Sequence, residues 1–126
     1  MTGVGGGELA TGMLRGVERA AELPEFAERV LGLVERIPAG RVMSYGDIAE
    51  FLGSRAPRMV GQVMYRHGGG VPWHRVVRAD GSPAPALRGR QLALLRAEGV
   101  PLRGDRVDMP RARWDGRDGD GRYGPS

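Results

Sequence analysis

No cysteine occurs among the 126 residues. Disulfides, thiolate zinc sites and cysteine nucleophiles are thereby excluded together. One compact apolar-and-basic stretch, Val71-Pro72-Trp73-His74-Arg75-Val76-Val77, sets an indole beside an imidazole and a guanidinium. The indole N–H of Trp73 is a donor with no available lone pair, so it cannot accept a transferred group. The other chemical resource is arginine. All 19 basic residues are Arg, a choice that GC-rich codon usage is enough to explain. Their placement is more informative. Residues 1–37 carry net −2, residues 38–104 net +6 and residues 105–126 net 0. A basic middle block fits a polyanionic partner such as nucleic acid, or a solvated basic face with no partner.

The elements that must position these residues follow from periodicity and caps. With 126 residues the chain makes one compact domain, and 22 Gly and 9 Pro put much of it in loops or tails. Pro24 suits the first turn of a helix that carries Phe26, Val30, Leu33, Val34 and Ile37 on one face. Pro38-Ala39-Gly40 stops it, and Arg41-Val42-Met43 reads as short and extended. Ser44 is placed as an N-cap with Asp47 in the capping-box position, opening a short helix over Tyr45–Leu52 that Gly53 ends. A second helix starts around Ala56-Pro57, runs to about His67, and carries Val60, Val63 and Met64 inward. This pair has the pattern of a helix-turn-helix. Gly68-Gly69-Gly70 breaks it, a turn falls at Asp80-Gly81, and a Pro-containing loop covers 82–87. A last helix is expected over Arg90–Glu98, with Leu92 and Leu95 inward and Gly99 as its cap. Arg106-Val107-Asp108 reads as a short edge strand.

Several of these stretches together resemble one family. Residues 37–49, from Ile37-Pro38-Ala39-Gly40-Arg41 to Ser44-Tyr45-Gly46-Asp47-Ile48-Ala49, look like the opening of the DNA-binding domain of O6-alkylguanine-DNA alkyltransferases. Arg58-Met59-Val60-Gly61 resembles the start of their recognition helix. Pro72-Trp73-His74-Arg75-Val76-Val77 resembles their active-site motif, with Trp73 in place of the cysteine. Glu98-Gly99-Val100 resembles the glutamate near the end of their last helix. The resemblance covers roughly residues 26–104, in order. The 25 residues before it are too few for the family's separate N-terminal domain. Tryptophan at this position is the mark of the alkyltransferase-like proteins, and the resemblance is to them.

The resemblance implies a set of roles. In the transferases a thiolate attacks the alkyl carbon on guanine O6, activated by a histidine that a carboxylate holds. Here His74 and Glu98 are left as a vestigial hydrogen-bonding pair with nothing to activate, and no catalytic residue is expected. Tyr45 matches the tyrosine that crowds the phosphate and helps rotate the nucleotide. Arg58 matches the arginine finger that fills the gap in the base stack; a simple phosphate contact is the other reading. Ala56 and Gly61 allow close approach to the minor groove, although Gly61 equally fits a tight helix–helix contact. Trp73, Val71, Pro72 and Arg88 are assigned to the lesion pocket, with Arg88 stacking on the flipped base. Without the surrounding match, Trp73 would read as a core aromatic. The loops at 68–71 and after Asp80 look shorter than the family's.

The expected fold is α+β and mostly helical, a small winged-helix-like domain with a helix-turn-helix. Residues 1–22 are read as a flexible N-terminal extension, 23–114 as the domain and 115–126 as a disordered tail. Met13 offers an alternative start. The partner implied is double-stranded DNA containing O6-alkylguanine, flagged by a persistent complex for nucleotide excision repair proteins. No cofactor, metal or membrane contact is expected, and the protein is read as cytoplasmic and monomeric. The alternative is a sequence-specific helix-turn-helix regulator with no lesion preference.

Overall fold

The computed structural model describes residues 24–117, so the expected N-terminal extension lies outside the described residues. A first helix, α1, covers residues 24–36. Its predicted inner face is the one that packs: Val30, Leu33, Val34 and Ile37 are buried, and Phe26 is partly so. Each such side chain contributes about 1.5–3 kcal/mol on burial. No helix among the described residues is long and apolar enough to cross a membrane.

The chain then forms β1 (Met43–Ser44), α2 (Tyr45–Phe51) and α3 (Pro57–His67). Ser44 serves as both strand end and N-cap. The Asp47 amide donates to Ser44 Oγ at 2.9 Å and the Ser44 amide donates to Asp47 Oδ2 at 3.0 Å, the reciprocal capping box read from the sequence. Arg113 Nε donates to the same Asp47 oxygen at 3.0 Å, which ties the cap to the C-terminal end of the domain. Pro57 opens α3 at a position where a missing N–H costs nothing. Helices α2 and α3 pack on each other and on α1 around Ile48, Ala49, Val60 and Val63. The helix-turn-helix is therefore present, and its core is the first of two hydrophobic clusters.

Beyond α3 lie two single-turn 3-10 segments, Gly68–Gly70 and Trp73–Arg75, then β2 (Val76–Val77). Strand β2 pairs in parallel with β1, with Met43 opposite Val76 and Ser44 opposite Val77. A third 3-10 turn, Pro85–Leu87, runs straight into α4 (Arg88–Ala97). The helix thus starts two residues before the expected Arg90. Gly89 is the reason for the misreading: glycine is a poor helix former, about 1 kcal/mol worse than alanine, yet here it lies inside the first turn.

A hairpin follows, β3 (Leu102–Arg103) with β4 (Arg106–Val107), then a short α5 (Met109–Ala112). The expected edge strand at Arg106–Asp108 is β4, shorter by one residue; its partner β3 carried no sequence signal. The Asp80-Gly81 turn locks onto this hairpin. Gly81 has φ +87°, the Val107 amide donates to its carbonyl at 2.9 Å, and a Cβ there would collide with the Val107 carbonyl. The second cluster gathers here, from Val42, Val77, Leu95, Val100, Val107, Met109 and Ala112.

The chain end is sutured back to the front. Val42 forms an isolated bridge with Arg113, and Trp114 is buried in the first cluster. Residues 115–117, the start of the expected tail, fall among the described residues. The Trp114 indole donates to the Arg117 carbonyl and the Arg117 amide donates to Asp115 Oδ1, so residues 115–117 belong to the packed structure. The remainder of the expected tail lies outside the described residues. The described residues form a small, mostly helical α+β domain with a helix-turn-helix, as the sequence implied, and add a hairpin after the last long helix.

Candidate nucleic-acid interface

Parallel pairing of β1 with β2 sets the site. Strand β1 runs directly into α2, and β2 leaves directly from the Trp73–Arg75 turn. The register therefore brings Tyr45, the first residue of α2, to one end of the turn that carries Trp73. Tyr45 is half-buried, and this burial pushes its phenol pKa up, partly offset by the nearby Arg78 guanidinium.

Tyr45 and Trp73 face a common cleft of about 610 Å³. One wall is α3, with Gly61, Met64 and Tyr65. The opposite wall is the start of α4, with Leu87, Arg90 and Gln91. Trp73 is half-buried, and its ring meets His74 edge-on at 6.0 Å between centroids. The Arg90 guanidinium stands over the Trp73 ring at 5.6 Å, within the range of a cation–π contact.

Of the residues assigned to a lesion pocket from the sequence, only Trp73 lines this cleft. Val71 packs against the first hydrophobic cluster, and neither it nor Pro72 reaches the lining. Arg88 also lies outside the lining and is ion-paired with Asp105 of the hairpin turn. The reason is helical phase. Arg90 and Gln91 of α4 line the cleft, whereas the Arg88 side chain points about 160° away from that of Arg90. Arg90 is thus the arginine that lines the cleft.

The turn that presents Trp73 is clamped by a residue the sequence reading missed. Gln91 is buried, donates from Nε2 to the carbonyls of His74 at 3.1 Å and Val76 at 2.8 Å, and accepts from the Ala84 amide at 3.0 Å. Every polar end of this amide is used, so it fixes both the turn and the loop before α4. A lone Gln in a helix carries no signal of such a role.

Behind Trp73, the expected His74–Glu98 pair is formed, with His74 Nε2 2.7 Å from Glu98 Oε2. Arg75 completes it. Its guanidinium donates to both Glu98 oxygens at 2.7–3.2 Å and to the Ile37 carbonyl at 2.8 Å. The Gly40 amide adds a further bond to Glu98 Oε1 at 3.3 Å. The Arg75 hydrogen bonds, more than those of His74 and Gly40, hold the Glu98 carboxyl at a pKa of about 2, against an opposing desolvation. The carboxylate is therefore an acceptor only, and His74 Nε2 must carry the proton between them.

On α3, Arg58 is exposed, and its guanidinium has no partner among the described residues. Ala56 is the half-buried N-cap of α3 and makes no side-chain cap. Gly61 discriminates between its two readings. A Cβ built on it would find nothing within 4 Å, so no neighbouring helix requires glycine there. The open space faces the cleft. Gly61→Leu is accordingly expected to leave the melting temperature unchanged or raised, since glycine is a poor helix interior residue. The same variant is expected to lose DNA affinity in a fluorescence-anisotropy titration. A destabilised fold with normal affinity would contradict this reading.

Comparison with known proteins agrees with these features. The family described as 6-O-methylguanine DNA methyltransferase, DNA binding domain, matches residues 25–100. A DNA base-flipping protein of Escherichia coli (strain K12) is 42% identical over 105 residues, covering 78% of this chain and 81% of that protein. Alkyltransferase-like protein 1 of Schizosaccharomyces pombe is 38% identical over 90 residues, covering 64% of this chain and 81% of that protein. The crystal structure of S. pombe Atl1 in complex with damaged DNA containing O6-carboxymethylguanine superposes with a TM-score of 0.64 at 33% identity, over 72% of this chain and 95% of that one. With a tryptophan at the turn where the transferases carry cysteine, the chain belongs to the 6-O-methylguanine DNA methyltransferase DNA-binding-domain family, as one of its alkyltransferase-like members.

Proposed function

We propose that this protein recognises O6-alkylguanine in double-stranded DNA by turning the nucleotide out into the Trp73 cleft, and performs no alkyl transfer. The observation that carries the reading is the cleft itself. An indole forms its wall where a thiolate would attack, and an arginine stands over that indole. Flipping a base costs about a few kcal/mol, and less where pairing is already weakened, which favours the alkylated guanine. Burial of the alkyl group adds about 0.8 kcal/mol per methylene. In this reading Arg58 fills the vacated stack, Tyr45 crowds the phosphate, and Ala56 and Gly61 let α3 approach the minor groove. Arg90 takes the stacking role first assigned to Arg88. His74, Arg75 and Glu98 hold the turn. The protein acts as a cytoplasmic monomer, and its persistent complex marks the lesion for nucleotide excision repair proteins.

The test compares one duplex carrying guanine, O6-methylguanine or O6-benzylguanine at a single position, titrated at fixed salt. Tighter binding to both alkylated duplexes is expected, with no labelled alkyl group appearing on the protein. Equal affinity for all three would favour a sequence-specific regulator and overturn the proposal. Trp73→Ala is expected to cut the preference for O6-methylguanine about fivefold through lost apolar contact, with little change on unmodified DNA.

A further inference from the structure

Tyr45 has a cationic neighbour, Arg78, at the end of β2. Strands β1 and β2 run in parallel with Ser44 opposite Val77, so the next residue of each chain, Tyr45 and Arg78, leaves the pair side by side. Val77 is fully buried and Arg78 is exposed, so the arginine reaches into solvent from a point that the core fixes. Burial raises the Tyr45 phenol pKa and the Arg78 guanidinium opposes it, which sets that charge close to the hydroxyl. The backbone beneath Arg78 is held from both sides. Its amide donates to the Ser82 carbonyl at 2.9 Å, and the Gly81 amide donates to its carbonyl at 2.8 Å. Asp80, on the same turn, is engaged elsewhere. Its Oδ1 accepts from the Ser82 amide at 3.0 Å and the Ser82 hydroxyl at 2.6 Å, and its Oδ2 faces Arg106 at 3.6 Å. The Arg78 guanidinium makes no hydrogen bond or ion pair among the described residues.

From this placement we propose that Arg78 and Tyr45 form a clamp on one backbone phosphate beside the turned-out guanine, an assignment that rests on the lesion-recognition reading above. Tyr45 lines the Trp73 cleft and Arg78 does not, so the arginine stands outside the space for a base. That is where the sugar-phosphate backbone of a turned-out nucleotide must run. The two side chains divide the work. Tyr45, kept neutral by its raised pKa, donates one hydrogen bond from its hydroxyl. Arg78 supplies the charge, and its planar fork can bond two phosphate oxygens at once. The fixed backbone of the Asp80-Gly81 turn lowers the entropy lost when the arginine engages. A phosphate contact carries no sequence information by itself, so the clamp holds the rotated backbone and leaves discrimination to the cleft.

The test uses the intact chain and an O6-methylguanine duplex in which single phosphates are replaced, one at a time, by uncharged methylphosphonates. For the wild-type protein, neutralising one of the phosphates that flank the alkylated guanine is expected to weaken binding about five- to tenfold. Arg78→Ala is expected to lose about as much on the unaltered duplex, and then to be insensitive at that one position while responding normally at the others. Its dependence of log affinity on log salt should be shallower by about one, and Arg78→Lys should restore that slope. Tyr45→Phe should lose part of the sensitivity at the same phosphate. Arg78 is exposed, so the melting temperature of Arg78→Ala is expected to match that of the wild-type protein. Losses that simply multiply at every phosphate would overturn the clamp, and so would coupling confined to a phosphate remote from the guanine. Either result can arise with lesion preference intact, and then only the clamp falls. Equal wild-type affinity for the guanine and O6-methylguanine duplexes is a different result, and there the lesion reading and the clamp fall together.

Discussion

Arg58→Ala is expected to weaken binding to an O6-methylguanine duplex on the order of 10- to 100-fold and to leave the fold intact. The stability half of this expectation comes from where Arg58 sits. It occupies the first turn of α3, where the helix dipole disfavours a positive charge, and that turn has no acidic residue to balance it. Its guanidinium is exposed and unpartnered among the described residues. The residue therefore contributes nothing visible to folding, and alanine, a better helix former, should be neutral or slightly stabilising. The affinity half follows from the gap a flipped nucleotide leaves. Unstacking costs about a few kcal/mol, and a flat guanidinium can both stack in the gap and donate hydrogen bonds there. Arg58→Lys separates this from a phosphate contact. Lysine keeps the charge and its salt dependence but cannot stack, so it should recover only a small part of the loss. Unchanged affinity of Arg58→Ala in a gel-shift titration contradicts the finger; full recovery with lysine reduces it to a phosphate contact.

The parts of the molecule that were legible in the sequence are those governed by local spacing. Ser44 and Asp47 are three residues apart, and their capping box depends on nothing else. The inner face of α1 follows from 3.6-residue periodicity alone. The motif around Trp73 and His74 was legible because a resemblance carried it. What stayed hidden depends on contacts across the chain. Gln91 closes the Trp73 turn over a separation of 15–17 residues, and no property of a single glutamine announces that. Trp114 stands among polar residues with no apolar periodicity around it, yet it fills the first hydrophobic cluster, where the Val42–Arg113 bridge holds the chain end. Strand β3 exists only because β4 pairs with it. Which of Arg88 and Arg90 lines the cleft depends on the face that α4 turns to the Trp73 turn, and no local spacing shows that.

The network around Glu98 leads to the largest expected effect on stability. One carboxylate takes bonds from Arg75, His74 and Gly40, and so joins the end of α4 to the Trp73 turn and to the loop after α1. Its side chain and that of Arg75 are each 18% exposed, so removing the carboxylate leaves a largely buried guanidinium without its counter-charge. Glu98→Ala is expected to cost about 2–4 kcal/mol in a urea titration, near the range for breaking a buried ion pair. Lesion preference should fall with it even below the unfolding transition, because Trp73 and His74 lose their support. The same group makes stability depend on pH. Its pKa is about 2 in the folded protein against an ordinary 4.5, so the folded state holds the carboxylate ionised more readily than the unfolded chain. The associated stabilisation is complete above the ordinary value and is lost as pH falls from there through about 2. Wild-type melting temperature should therefore drop across that acid window. Glu98→Gln keeps the shape without the charge and should be destabilised at neutral pH but show a shallower acid decline. If the two proteins lost stability in parallel below the ordinary carboxylate pKa, other carboxylates would be responsible, and Glu98 would be an ordinary surface acid with a well-placed neighbour.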